Sequence, residues 1–268
     1  MGLAKKVPAV ALSEPLFLDQ AHQLQKQICN LTIEEIQKLM HVSHALAAAT
    51  KQRMEDWSAD GKTPAWLSFQ GDVYKGLRAE TFDASDFNFA QKKAATLSGL
   101  YGILRPLDAV SPYRLELGYR LRTKCHNNLY EYWGKTIASS LPQILEETQP
   151  IINLASEEYM KAIMPYVTND RIISPWFMQI KDGVPVFQAV HAKNARGSFM
   201  HWIVKNRITS TSDFQAFAED RYEFDSELST TQKPVFTRLF IPVAQQSRVS
   251  KSDGATPKQH QPERKYPS

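Results

Sequence analysis

Apolar residues fall at helical spacing almost from the start of the chain. Leu18, Ala21, Leu24 and Ile28 mark one face of a helix that follows Glu14-Pro15. The next helix is the most fully punctuated. Thr32 is its N-cap, Glu35 three residues on completes a capping box, and Leu31 with Ile36 forms a hydrophobic staple. Its buried stripe is Ile33, Ile36, Leu39 and Met40. His41-Val42-Ser43-His44 then interrupts, and Ser43 caps a further helix with the stripe Leu46, Ala49, Thr50, Met54 and Trp57. Residues 32–57 therefore read as two short helices joined by a tight connection.

Strand and helix signals alternate beyond that point. Ala65-Trp66-Leu67-Ser68-Phe69 and Gly71-Asp72-Val73-Tyr74 suit strand at a glycine turn. Residues 129–147 form a longer helix with Trp133, Ile137, Leu141 and Leu145 stacked, kinked or split at Pro142. Residues 151–155 are a short buried strand running into Ser156-Glu157-Glu158, a serine cap with acids in the first turn. Residues 184–190 are strand, with Pro185 favouring an edge or first position. Residues 195–206 are a helix with Phe199, Trp202 and Ile203 on one face, and residues 235–240 close the fold as strand. No repeat and no long linker divides this stretch, so the expectation is one mixed α/β (α+β) domain over residues 1–245. Beyond Gln245 apolar residues almost vanish, which predicts a disordered basic tail over residues 246–268.

Composition agrees with a globular body: of 268 residues, 43% are hydrophobic and 22% charged, enough for a sizeable core. Two cysteines, Cys29 and Cys125, without a CxxC exclude a disulfide framework and fit a reducing, cytoplasmic setting. No apolar run reaches membrane-spanning length, no signal-peptide pattern opens the chain, and Lys6 stands where a myristoylation signal needs Ser or Thr. The net charge is +4, but the tail supplies most of it through Arg248, Lys251, Lys258, Arg264 and Lys265 against Asp253 and Glu263. The more telling feature is local. Between Gly183 and Ile208 stand Lys193, Arg196, Lys205 and Arg207 with His191 and His201 and no acid, either a solvated face or one wall of an anion-binding cleft.

Two helices joined by a tight connection leave backbone N–H groups at the second helix start, where a phosphate fits and where contact fixes position without reading sequence. Ser43, His44, Lys51 and Arg53 are the local side chains, with His41 beside them; a plain packing unit is the alternative. The segment Leu97-Ser98-Gly99-Leu100-Tyr101-Gly102-Ile103-Leu104-Arg105-Pro106-Leu107-Asp108 suggests a close-approach turn next to an ordered cation, Arg105. It is no Walker A loop, because no Gly-Lys-Ser/Thr follows. Pro112-Tyr113-Arg114-Leu115-Glu116 adds a second arginine that would share a strand face with Glu116 and could pair with it. The chain shows no HExxH, HxH or GxSxG, so neither catalytic residues nor a metal or cofactor site is expected; Asp72, Glu80, Asp108 and Glu116 are carboxylates that folding could gather.

These blocks, with Phe69-Gln70-Gly71-Asp72-Val73-Tyr74, Asn153-Leu154-Ala155-Ser156-Glu157-Glu158-Tyr159 and Ala192-Lys193-Asn194-Ala195-Arg196-Gly197, resemble in order the signatures of the peroxide stress resistance protein YaaA family. The resemblance implies a family-specific α/β architecture with a positively charged cleft and a helix-hairpin-helix at about residues 32–57. It implies binding to duplex and branched DNA without strong sequence preference, in defence against hydrogen peroxide and iron-driven damage. Three features depart from the family pattern. The apolar strand and Ser-Pro-Ala-Lys-Thr at the start shrink to Ala4-Lys5, a Gly-Tyr pair is Arg221-Tyr222, and the tail is long.

The leading expectation is a cytoplasmic DNA-binding protein, without membrane association, for duplex, bubble or junction DNA. Its contacts would be Ser43, His44, Lys51, Arg53, Arg105, Arg114, Lys193 and Arg196. The rival is an enzyme acting on a nucleotide or DNA end in the same cleft, with Asp72, Asp108 and Glu116 as active-site candidates.

Overall fold

The computed structural model describes residues 10–145 and 149–240; Ala4-Lys5 and the tail expected over residues 246–268 lie outside the described residues. Helix α1 (Leu18–Cys29) leads into α2 (Ile33–Met40) and α3 (His44–Glu55). The Thr32–Glu35 capping box forms as the sequence dictates, and Ser43 Oγ accepts the Leu46 N–H at the start of α3. His41 makes the turn between α2 and α3 in a left-handed conformation at φ 51°. Ala47, Thr50 and Met54 are the buried residues of α3, whereas the expected stripe members Leu46 and Ala49 face outward. The helix is rotated so that its small alanine, not Leu46, meets the core.

A two-residue strand β1 (Thr63–Pro64) precedes α4 (Ala65–Ser68), α5 (Asp72–Leu77) and α6 (Ala84–Gln91). The strands expected at 65–69 and 71–74 are therefore helices. Val73 is the only β-branched residue in either segment, and Gly71, at φ 129°, separates two short helical turns. Strands β2 (Thr96–Ser98) and β3 (Gly102–Leu104) form a hairpin, and β4 (Ala109–Val110) pairs antiparallel with β1. The helix expected over 129–147 breaks early into α7 (Leu129–Trp133) and α8 (Thr136–Ser140). Gly134, at φ 44°, is the break, and Pro142 sits in a following 3₁₀ turn.

Strand β5 (Ile151–Ile152) precedes α9 (Glu157–Met160) and pairs in parallel with β6 (Ile172–Ile173). A four-stranded sheet is built from β7 (Trp176–Lys181), β8 (Val184–Val186), β9 (Glu223–Phe224) and β10 (Val235–Leu239) in the order β8-β7-β10-β9. Strands β7 and β10 run parallel at its centre, and Pro185 lies on the edge strand, as its missing N–H requires. Helix α10 (Ala189–Lys205) starts six residues before the expected point and cuts short the strand expected over 184–190. Arg221, at the position of the family's Gly-Tyr pair, has φ 64°, and Asp220 has φ 54°. Non-glycine residues thus occupy a left-handed turn that glycine adopts more cheaply.

Three apolar clusters hold these mixed elements. One joins α1–α3 to the buried segment 100–121 and α7, the second packs Phe177, Phe199, Phe217 and Phe236 between the sheet and α10, and the third groups Trp66, Phe82 and Phe87 around α4 and α6. A cleft opens where they meet. Tyr113 and Leu115 line it from the first cluster, Ile152 and Phe214 from the second, Trp66 and Leu77 from the third.

Candidate functional site

The site begins with a helix crossing. A methyl group on Gly197 of α10 would overlap the Val73 carbonyl of α5, and one on Gly76 would overlap the Asn194 carbonyl. Ala192 and Ala195 are buried on the same face. Small residues thus let two backbones touch, and the i, i+3 pair Lys193 and Arg196 is carried to the rim of a cleft of about 870 Å³. Asn194 Nδ2 donates to the Asp72 carbonyl at 3.4 Å, tying the rim to the start of α5.

Cations and carboxylates face each other across this cleft. Arg53, Lys93, Arg114, Lys193 and Arg196 line it with Asp72, Glu116 and Glu158. Among the described residues Lys193, Arg196 and Arg114 form no ion pair. Arg196 donates to the Ala155 carbonyl at 3.3 Å; burial lowers its pKa, with the charge of Glu157 opposing. Asp72 is held below its ordinary pKa by the Lys75 ammonium, 2.9 Å away, with Lys193 adding to the effect.

The floor is aromatic and hydroxyl-rich. The Phe69 and Tyr74 rings stack at 5.1 Å and 17°, and Tyr113 meets Phe69 edge-on. Tyr159 donates its hydroxyl to Glu116 Oε2 at 2.6 Å. Burial, and then the Glu116 charge, pushes that phenol far above its ordinary range. Tyr113 is likewise pushed up by burial, while its 2.6 Å bond with Ser98 Oγ acts the other way. Arg114 Nε is buried and has no hydrogen-bond partner among the described residues. The pairing expected of Arg114 with Glu116 does not form. Their segment is not a strand, Tyr159 takes Glu116, and Arg114 Nη2 reaches only Tyr119 Oη at 3.5 Å.

The other nominated residues lie elsewhere. Arg105 is tied to Asp108 at 2.9 Å and donates to the Glu14 carbonyl, so the ordered cation of the turn is a brace for the chain near Ser13. Asp108 is fully buried, also accepting from Ser13 Oγ and the Arg105 N–H; burial raises its pKa against these bonds. Neither residue lines the cleft. Lys51 donates to the Cys29 and Leu31 carbonyls at 2.9 and 2.8 Å, sealing the end of α1. Ser43 and His44 are exposed at the start of α3. Arg53, nearer the other end of α3, alone of the four helix-pair candidates reaches the cleft.

The acid-free stretch also divides. Lys193 and Arg196 are at the cleft, but Lys205 and Arg207 bind opposite oxygens of Asp86 at 2.6 and 2.8 Å. Asp86 is 3% exposed. Burial raises its pKa, and the two cations outweigh burial to leave it lowered. His201 is buried against the Leu77 carbonyl and stacked on Phe82. Composition gave no sign of Asp86, which lies over a hundred residues away in sequence. Tyr74, Tyr113 and Tyr159 were present in the motifs, but nothing in their spacing marked them as one wall.

The family model described as peroxide stress protein YaaA matches residues 1–228. The chain belongs to the YaaA family. A UPF0246 protein of Ruegeria pomeroyi is 40% identical over 237 residues, which cover 86% of this chain and 93% of the relative. The blocks by which the chain resembles YaaA proteins separate into two jobs. Leu97-Ser98-Gly99-Leu100-Tyr101-Gly102 builds the β2–β3 hairpin. A side chain on Gly99 would strike the Leu115 carbonyl, Trp133 Nε1 donates to the Gly99 carbonyl, and burial pushes the Tyr101 phenol up to about 12. The Phe69, Pro112, Asn153 and Ala192 blocks converge instead on the cleft. No described helix is long and apolar enough to cross a membrane.

Proposed function

We propose that this YaaA-family peroxide stress protein binds DNA through the cleft, where Lys193, Arg196 and Arg114 hold backbone phosphates and thereby place the protein on DNA under oxidative attack. One observation carries the reading. The two cations that the α5–α10 crossing delivers to the cleft form no ion pair among the described residues, Asp72 and Glu157 being nearby charges only, while the next two on the same chain segment share the carboxylate of Asp86. Unpaired guanidinium and ammonium groups at a concave rim are what a phosphate backbone requires.

Arg53 extends the track. From Arg53 to His44 along α3 is about 14 Å at 1.5 Å per residue and about half a turn around the axis, so a strand leaving the cleft past Arg53 must cross α3 to reach its exposed start. In this reading α2 and α3 act as a helix-hairpin-helix, with the early amides of α3, His44 and the Ser43 cap contacting one further phosphate. Lys51 and Arg105 stay structural.

The test is titration of duplex, bubble and junction DNA across a salt series. Binding should weaken steeply with salt, with a log–log slope near the number of phosphates neutralised. Equal affinity at low and high salt contradicts the proposal.

A further inference from the structure

A backbone-binding rim does not account for the floor of the cleft. Phosphates have no use for flat aromatic walls, and a free carboxylate repels them. Phe69, Tyr74 and Tyr113 nevertheless supply apolar rings there, and Glu116 presents a carboxylate of which, among the described residues, only Oε2 is engaged, by Tyr159. Oε1 and the remaining lone pairs of Oε2 can accept further hydrogen bonds. Arg114 Nε is a buried donor in the same lining that has no acceptor among the described residues. The volume, about 870 Å³, falls in the range of small-molecule sites and exceeds what a phosphate needs.

We propose that the cleft floor is a site for one guanine nucleotide, its base against the aromatic wall, its N–H edge on Glu116 and its phosphate at Lys193 and Arg196. The phosphate part of this assignment rests on the reading above; the base part does not. Guanine alone among the common bases offers two adjacent donors, the ring N1–H and the exocyclic amino group, to a carboxylate that can accept both. Its O6, next to N1, is the acceptor that Arg114 Nε lacks. Adenine and cytosine each offer one amino donor beside an acceptor ring nitrogen, and thymine one ring N–H between two carbonyls, so each gives a carboxylate one donor and at least one repelling lone pair. A free nucleotide and an unpaired residue of a DNA strand present the same edge and the same phosphate.

The full-length protein is titrated calorimetrically with GMP, CMP, AMP and TMP, and by anisotropy with duplexes carrying one unpaired G, one unpaired A or no unpaired base. GMP should bind about tenfold or more tightly than AMP, CMP or TMP. Glu116→Gln should shrink the GMP–AMP gap to about threefold, and Lys193→Ala/Arg196→Ala should weaken all four nucleotides alike. Preference for unpaired G only in the DNA arm identifies a strand as the source; preference only among free nucleotides identifies the mononucleotide. If wild-type protein shows no base preference in either arm, the proposal fails, even where Glu116→Gln does not fold. Salt-dependent DNA binding without base preference would overturn this inference and leave the function above standing. GMP selectivity without any DNA binding would do the reverse.

Discussion

The α2–α3 helix pair and the cleft both bring basic side chains to the surface, yet the fold uses them in opposite ways. In the helix pair Lys51 is spent on the carbonyls that end α1 and on Glu55, 3.5 Å away, and the Ser43 Oγ accepts from Leu46 N–H, which leaves only its O–H to donate. In the cleft Lys193 and Arg196 ride on a helix whose small residues are committed to packing, and among the described residues neither forms an ion pair. Lys205 and Arg207, at the far end of the same basic stretch, repeat the helix-pair pattern around Asp86. A cation is available to a ligand only where the fold has not already given it a partner, and a charge count along the chain does not contain that information.

Gly197→Ala attacks the contrast most strongly. The new methyl meets backbone, which cannot rotate away, so α5 and α10 must separate, at a cost of about 3 kcal/mol. Denaturant unfolding should show that loss, and DNA affinity should fall with it because the cleft rim moves, while α2–α3 is untouched.

Asp86→Asn tests the neutralised end of the stretch. It leaves Lys205 and Arg207 facing a neutral amide and should cost about 2 kcal/mol, given that both cations are partly exposed. The pH dependence has a definite sign. The folded-state pKa of Asp86 lies below its ordinary value near 3.8, so its stabilisation is complete above about pH 5 and is lost as pH falls through the folded value. Thermal melts from pH 7 to pH 3 should therefore show the gap between wild type and Asp86→Asn narrowing on acidification.

Ser43→Ala removes a cap and should cost about 1 kcal/mol in a denaturant titration. Lys51→Ala strips two carbonyls of their donor and should cost a similar amount, about 1 kcal/mol, with little change in DNA affinity. Smallest in stability is Lys193→Ala/Arg196→Ala, expected to cost about 0.5 kcal/mol, for the one long bond from Arg196 to the Ala155 carbonyl. Its effect belongs to binding.

The legible parts of the fold were those whose cause is local. The Thr32 capping box, the Ser43 cap, the α1 stripe and the edge position of Pro185 each depend on residues within a few positions, and each stands where the sequence puts it. Segment 65–74 was misread because its short apolar run carries no period that separates strand from a single helical turn. The α7–α8 break was misplaced because Gly134, in a left-handed turn, outranks a proline that a 3₁₀ turn accommodates. In the site, Lys193 and Arg196 were legible as members of an acid-free stretch, but their shared face was not, because the expected helix began at Ala195 and left Lys193 outside it. Arg105 was not, since its commitment to the buried Asp108 depends on a turn that residue types alone do not specify. Glu116, Tyr159 and Asp86 depend on contacts between distant segments, which one sequence does not order.

The most direct measurement compares the salt dependence of duplex binding for wild type, Lys193→Ala/Arg196→Ala and Lys51→Ala under identical conditions. The account predicts that the log–log slope flattens by about 2 in the double variant and is unchanged in Lys51→Ala. An unchanged slope in the double variant, or a slope that flattens in Lys51→Ala instead, would contradict the assignment of the phosphate track to the cleft.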